Sequence, residues 1–312
     1  MPKTTEYLTF HDNTGAEIVF PVATVTGDRP GPSVVITAGI HGCEYPGIVA
    51  AISLFKELTP EAVRGSVKIV TITSLDAFER RNPFVSPKDA KNPNRFFPGD
   101  PNGSFTEVLT YRLLHEVIAG ADYHLDLHGG DLVEALEPFS ICHTGAAPEV
   151  DQKSFDLAYY YGLPNTVKTT TDGSWPDNGT TYANAAAIGV PSAIVEVGGI
   201  GQLEQSCVDM HLAGLYNVLR HVGVLEGAVR EPEVQLYSGF KWVYTPWKGI
   251  FYRAVSVGET VSVGQPLGTV EDYFGSPLGT IVSPVNGRVL FLTTSPSMPE
   301  NGLLMGIGFQ SE

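Results

Sequence analysis

An apolar, strand-like run at residues 32–36 passes into a glycine-bounded turn, Gly39-Ile40-His41-Gly42-Cys43-Glu44, and then into a helical pattern over residues 47–58. Strand, turn and helix in that order open a parallel sheet, and the β-branched segment 66–73 supplies the next buried strand. The chain is thereby directed toward an α/β fold. In such folds ligands bind outside the carboxyl ends of the strands, and this turn puts an imidazole and a carboxylate there. Three residues apart on a tight turn, the two side chains can face the same way, whereas an extended strand would set them on opposite faces. A catalytic zinc ion takes three protein ligands of the His/His/Glu kind and leaves its fourth position to water. A lone His-x-x-Glu arises easily by chance, so the pair needs a third ligand from elsewhere in the chain.

The sequence Tyr123-His124-Leu125-Asp126-Leu127-His128, followed by Gly129-Gly130, supplies one. Alternation along a strand puts His124, Asp126 and His128 on one face and Tyr123, Leu125 and Leu127 on the other. Polar residues on a buried strand need partners or a metal. His128 lies at the strand's end, level with His41 and Glu44 if the strands run parallel, and is the expected third ligand. Asp126 is placed to orient an imidazole, and His124, two pleats deeper, reads as a hydrogen-bonded core histidine. Glu196 closes another buried strand, residues 191–196, just before Val197-Gly198-Gly199. A carboxylate there is costly unless it meets a cation or an activated water, which makes it a candidate general base, although a structural ion pair with a loop arginine would also account for it.

Between these motifs, residues 74–103 show little periodicity and hold Arg80, Arg81, Lys88, Lys91, Asn94 and Arg95. Long loops in compact domains are commonly functional, and cations interleaved with amides suit a substrate carboxylate; a solvated surface loop would have the same composition. Residues 5–25 read as a hairpin about an Asp12–Gly15 turn, residues 104–119 as a helix begun by Ser104 and Glu107, and residues 150–162, 183–188 and 210–223 as further helices. Residues 167–182, with Trp175, read as a second long loop, a candidate wall or lid. Beyond residue 224 the pattern changes to short strands between glycine turns, as in Gly258–Gly268 and Ile281–Gly287, which predicts a small all-β, barrel-sandwich-like domain. Biotinyl and lipoyl carriers share that pattern but need a lysine at an exposed hairpin. Residues 271–280 contain none, and Lys241 and Lys248 fall outside the paired motifs. The domain is therefore expected to shape the site entrance or a subunit contact, which leaves a homo-oligomer open.

With 34 acidic against 19 basic residues, the chain would be repelled by nucleic acid and by anionic membranes. No leader pattern or long apolar run is visible, and three scattered cysteines, Cys43, Cys142 and Cys207, form no framework. These features predict a soluble, cytoplasmic protein with free thiols.

Taken together, Gly39-Ile40-His41-Gly42-Cys43-Glu44, Asn94-Arg95-Phe96-Phe97-Pro98-Gly99, Asp126-Leu127-His128-Gly129 and Val195-Glu196-Val197-Gly198-Gly199 resemble, in order, the motifs of the succinylglutamate desuccinylase/aspartoacylase family. The resemblance implies a three-layer α/β/α zinc carboxypeptidase-like domain with a mixed sheet over residues 1–230 and a C-terminal β domain over 231–312. It implies one zinc ion per chain held by His41, Glu44 and His128, with Glu196 as the base that passes a proton from water to the departing amine. Asn94 and Arg95 would grip the carboxylate of a small N-acyl amino acid, and Arg81 would face the oxyanion. Cys43 stands where the family commonly has Asp or Asn, and Gly129-Gly130-Asp131 also departs from it, which leaves pocket shape and acyl preference open. Two alternatives remain at this level: a metallocarboxypeptidase acting on short peptides, and a non-catalytic metal-binding protein.

Overall fold

The computed structural model describes residues 3–170 and 179–310. The opening hairpin forms as the sequence suggests: β1 (Lys3–His11) and β2 (Glu17–Thr26) pair about a turn in which Asp12 Oδ1 accepts the amides of Thr14 and Ala16. There follow β3 (Arg29–Ala38), α1 (Tyr45–Glu57), β4 (Arg64–Val70), α2 (Leu75–Arg80) and α3 (Phe105–Arg112), which continues as π-helical turns over Leu113–Ile118. Next come β5 (Tyr123–His128), β6 (Glu134–Leu136), β7 (Phe139–Thr144), α4 (Pro148–Tyr161), β8 (Asn165–Thr170), α5 (Thr181–Ala187), β9 (Ser192–Glu196), α6 (Gln205–His221) and β10 (Gln235–Tyr237).

Nine of these strands form one mixed sheet in the order β1-β2-β4-β3-β5-β9-β7-β8-β10. Its centre, β4, β3, β5 and β9, is parallel, so the carboxyl ends of β3, β5 and β9 emerge at one edge. Side-chain alternation divides the core into two layers. Val34, Ile36, Leu125, Leu127 and Val195 pack beneath α1, α4 and α6, while Val35 faces the opposite side with α3, the π-helical turns and α5. His124, Asp126 and His128 alternate away from Leu125 and Leu127, on the side of the sheet where α5 lies. This is the three-layer α/β/α arrangement with a mixed sheet.

The remaining strands are β11 (Gly239–Tyr244), β12 (Gly249–Arg253), β13 (Thr260–Val261), β14 (Pro266–Glu271), β15 (Pro277–Val282), β16 (Gly287–Thr293), β17 (Ser297–Met298) and β18 (Leu303–Phe309). They make two antiparallel sheets around a common apolar core that includes Phe251, Leu267, Val289 and Met305. Two strands cross the expected boundary near residue 230. β10 lies beyond it yet pairs with β8 in the large sheet, and β6 lies before it yet pairs with β16 of the C-terminal sheets. Arg288 grips Glu137 with two hydrogen bonds of 2.6 and 2.7 Å, and Phe139, Ile194, Phe240 and Phe291 form one shared apolar cluster. The two parts are therefore knitted together by backbone pairing as well as by burial.

Two segments depart from the sequence reading. Residues 74–103 contain a real helix, α2, too short to show a helical period and ended by Arg81 in the left-handed conformation at φ 53°. Within residues 167–182, read as loop, the β-branched run up to Thr170 completes β8 between β7 and β10, and α5 starts at Thr181. Trp175 and its candidate lid lie outside the described residues. Among the described residues, no helix is long and apolar enough to cross a membrane.

Candidate metal centre and binding cavity

The turn after β3 brings His41 and Glu44 together because glycine lets it lie flat on α2. A Cβ on Gly42 would come within 2.2 Å of the Phe78 backbone nitrogen. Gly39, at φ +66°, makes the preceding reversal. Replacing Gly42 by alanine is expected to push α2 off the turn and to lower stability by about 1–3 kcal/mol, as over-packing does; the denaturant midpoint would register it.

His41 Nδ1 lies 2.7 Å from Glu44 Oε1, and His128 Nδ1 lies 3.1 Å from Glu44 Oε2. All three side chains are buried, and one ligand atom from each falls within 4.8 Å of the others. The opposite ring nitrogens are occupied: His41 Nε2 donates to Asn92 Oδ1 at 3.0 Å and His128 Nε2 to Asp126 Oδ2 at 3.1 Å. Both imidazoles are thus held with Nδ1 turned toward Glu44, as the atom each would offer a metal once its proton toward Glu44 is displaced. Glu44 Oε2 is buried and makes no aligned hydrogen bond. Two nitrogens and an otherwise orphaned carboxylate oxygen are a fitting donor set for a divalent cation such as zinc.

A buried network fixes this geometry from behind. Thr37 Oγ1 donates to Asp126 Oδ1 at 2.6 Å, and Thr181 Oγ1 donates to Asp126 Oδ2 at 2.6 Å. Having given its proton to Asp126, the Thr37 hydroxyl accepts from His124 Nε2 at 2.9 Å, so His124 Nδ1 accepts from Ser192 Oγ at 2.7 Å. Burial lowers the His124 pKa to about 4, which keeps the ring neutral as that chain of bonds requires. His124 is accordingly a hydrogen-bonded core residue. Burial opposes charge on Asp126 and His128 alike. Their mutual attraction outweighs it, lowering the carboxyl of Asp126 and, with Glu44, raising the imidazole of His128.

Glu196 ends β9 directly opposite His128 in the parallel register. Burial, with the carboxylates of Glu44, Glu134 and Asp126 nearby, raises its pKa well above the usual range, while His128 pulls it down. His128 and Glu196 both line a cavity of about 500 Å³ together with His41, Glu44, Asn94 and Arg95. Arg95 ends the 3-10 turn Pro93–Arg95, with Nη1 tied to the Asn94 carbonyl at 2.6 Å. Asn94 Oδ1 accepts the Thr181 amide at 2.8 Å, which couples that loop to Asp126 through one threonine. The far wall comes from the C-terminal sheets, including Trp242, Phe291, Met298 and Leu303.

Arg81 is exposed, and it is not among the residues lining this cavity. Lys91 is drawn away to Glu107 at 2.9 Å, so Arg95 is the cation of the 74–103 segment that reaches the cavity. Cys43 is buried beside the ligands but outside their group, its thiol pushed up to about 11 by burial and the nearby Asp131. Two cavity residues carried no sequence signal of their own. Asn92, behind His41, is one amide among several in its loop. Glu134 sits on the three-residue β6, whose pairing partner lies far along the chain. The nearest signal for it was the pair of double glycines: Gly130 and Gly199 would each place a Cβ 2.3 Å from the Glu134 carbonyl oxygen.

A model of the Succinylglutamate desuccinylase/Aspartoacylase catalytic domain matches residues 30–222. The N-alpha-acetyl-L-2,4-diaminobutyric acid deacetylase of Halomonas elongata is 31% identical over 262 residues, spanning 82% of this chain and 75% of that protein. Among solved structures, a succinylglutamate desuccinylase/aspartoacylase from Rhodobacter sphaeroides aligns with a TM-score of 0.85 at 25% identity, over 99% of this chain and 96% of the other. The product-bound ectoine utilization protein EutE (DoeB) from Ruegeria pomeroyi aligns with a TM-score of 0.87 at 24% identity, over 99% and 95% of the two chains, a likeness of fold. Catalytic-domain match, identity across most of the chain and shared architecture agree, and this chain belongs to the succinylglutamate desuccinylase/aspartoacylase family.

Proposed function

We propose that the protein is a zinc-dependent hydrolase that cleaves the amide bond of a small N-acyl amino acid bearing a free carboxylate. The observation that carries this reading is the convergence of His41, Glu44 and His128 in one cavity with a half-buried carboxyl, Glu196, and a cation, Arg95. The relative named as an N-acetyl-diaminobutyrate deacetylase supports the reaction class. The wall contributed by the C-terminal sheets favours a small substrate over a peptide chain.

His41, Glu44 and His128 would hold the metal. When bound, zinc polarises the scissile carbonyl, makes water at the site more acidic and favours the ionised form of Glu196. Glu196 takes a proton from the attacking water as its oxygen bonds to the carbonyl carbon, and delivers that proton to the amine nitrogen as the carbon–nitrogen bond breaks. Arg95 binds the substrate carboxylate and so fixes the amide relative to Glu196. Asn94, its carbonyl oxygen engaged by Thr181, has its amide nitrogen left to assist. The apolar wall excludes bulk water and strengthens each of these interactions.

The test is a panel of N-acetyl and N-succinyl amino acids on the zinc-loaded protein, with short peptides alongside. Arg95→Ala is expected to raise KM for a carboxylate-bearing substrate about 10- to 100-fold, the loss of a charge-assisted hydrogen bond, with a much smaller effect on kcat. An unchanged KM would place the anchor elsewhere.

A further inference from the structure

Glu134 has no task in the hydrolysis just described, yet it is among the most firmly placed residues of the cavity. Its strand pairs with β16 opposite Thr293, and its carbonyl accepts the Ile200 amide at 2.9 Å. Gly130 and Gly199 close on that carbonyl from two sides with no room for a Cβ. Among the described residues its carboxyl makes no ion pair and no hydrogen bond, although Arg95 lines the same cavity and its charge is felt there. Burial, with Glu44 and Asp131 nearby, pushes its pKa up to about 7, against the pull of His41 and Arg95. A half-buried carboxyl held rigidly on a cavity wall without a partner is costly to the protein alone. The cost is offset if a ligand brings the missing cation.

Resting on the deacylase reading above, we propose that Glu134 receives a free ammonium group of the substrate. The amino-acid part then carries both a carboxylate, held by Arg95, and a second, unacylated amine: the substrate is an N-acylated diamino acid. A negative and a positive pole on the wall of one cavity, not neutralising each other, match a zwitterion in a way that an acidic or purely apolar side chain does not. Glu134 acts on affinity and selection, and the bond-breaking groups remain those named above.

The experiment compares 2,4-diaminobutyrate with 2-aminobutyrate, which differ in the ammonium group, by calorimetry on the zinc-loaded full chain, and compares kcat/KM for their N-α-acetyl derivatives. The wild-type protein should bind the diamino acid at least about 10-fold more tightly, the scale of one charge-assisted contact. Glu134→Gln should collapse that preference, whereas Glu134→Asp, which keeps the charge, should retain part of it. Equal affinity for the two amino acids in the wild type, or a preference that survives Glu134→Gln, overturns the proposal. So does an equal loss of kcat on both acetyl substrates in Glu134→Gln, which would make the residue part of the chemistry. If neither acetyl compound is hydrolysed but the Glu134-dependent binding preference persists, the deacylase reading falls and the cation site stands. If both are hydrolysed and bound alike, the reverse holds.

Discussion

Glu196→Gln is expected to fold, to take up zinc and to lose turnover by about 10²–10⁴-fold, the range that a positioned proton carrier contributes. The amide keeps the shape and hydrogen-bonding reach of the carboxyl but cannot accept the proton. The expectation is sharpened by the register, because Glu196 stands beside His128 on the neighbouring parallel strand and shares its cavity. The variant should also become more stable near neutral pH in the metal-free state, since the wild-type carboxyl is raised by burial and resists ionisation there. Sign follows from linkage: a carboxyl that holds its proton more tightly when folded contributes stability at low pH and loses it as pH rises through the folded pKa. Steady-state rates together with zinc stoichiometry decide the matter. Near-normal kcat in a zinc-replete variant would remove Glu196 from the role of base.

The second large effect is expected at the metal. His128→Ala should abolish stoichiometric zinc binding and with it all measurable amide hydrolysis, because the change removes one of the three proposed ligands and strands Asp126. Asp126→Asn grades the same test: the ligands stay, but the oxygen that orients His128 loses its charge, and zinc affinity should fall about 10- to 100-fold. In the metal-free protein His128 holds its proton more firmly than a free imidazole, on account of Asp126 and Glu44. On the proposed ligand set zinc would have to displace that proton, so affinity should rise with pH. Competition with a chromophoric chelator at several pH values measures it. Full zinc occupancy in His128→Ala would show that the metal, if any, sits elsewhere.

What the sequence revealed follows a physical line. The polar face of β5 was legible from alternation alone: Tyr123, Leu125 and Leu127 pack in the layer beneath α1, α4 and α6, whereas His124, Asp126 and His128 join the hydrogen-bond network of Thr37 and Thr181. The turn with His41 and Glu44 was legible because glycine, strand and helix signals are all local there, and the return of Glu107 Oε2 to the Ser104 amide at 2.9 Å is equally local. Glu134, Asn92 and the place of Arg81 were not legible. β6 is three residues long and is a strand because Phe291–Thr293 pair with it, a fact absent from its own composition. Asn92 matters through His41, which is 51 positions away. Arg81 ends a helix too short to announce itself, and the left-handed cap leaves its side chain exposed.

The origin of the cavity walls bears on how such a protein can diversify. The proposed ligands and base lie at positions 41, 44, 128 and 196, whereas much of the opposing apolar surface is drawn from positions 242–303. On the proposed reading, the groups that break the amide and grip its charged ends lie in the first two thirds of the gene, whereas much of the apolar surface facing them is written in the last third. Substitutions in the later stretch can retune which compounds enter while leaving the reaction intact, so close relatives with the same ligands are free to consume different metabolites.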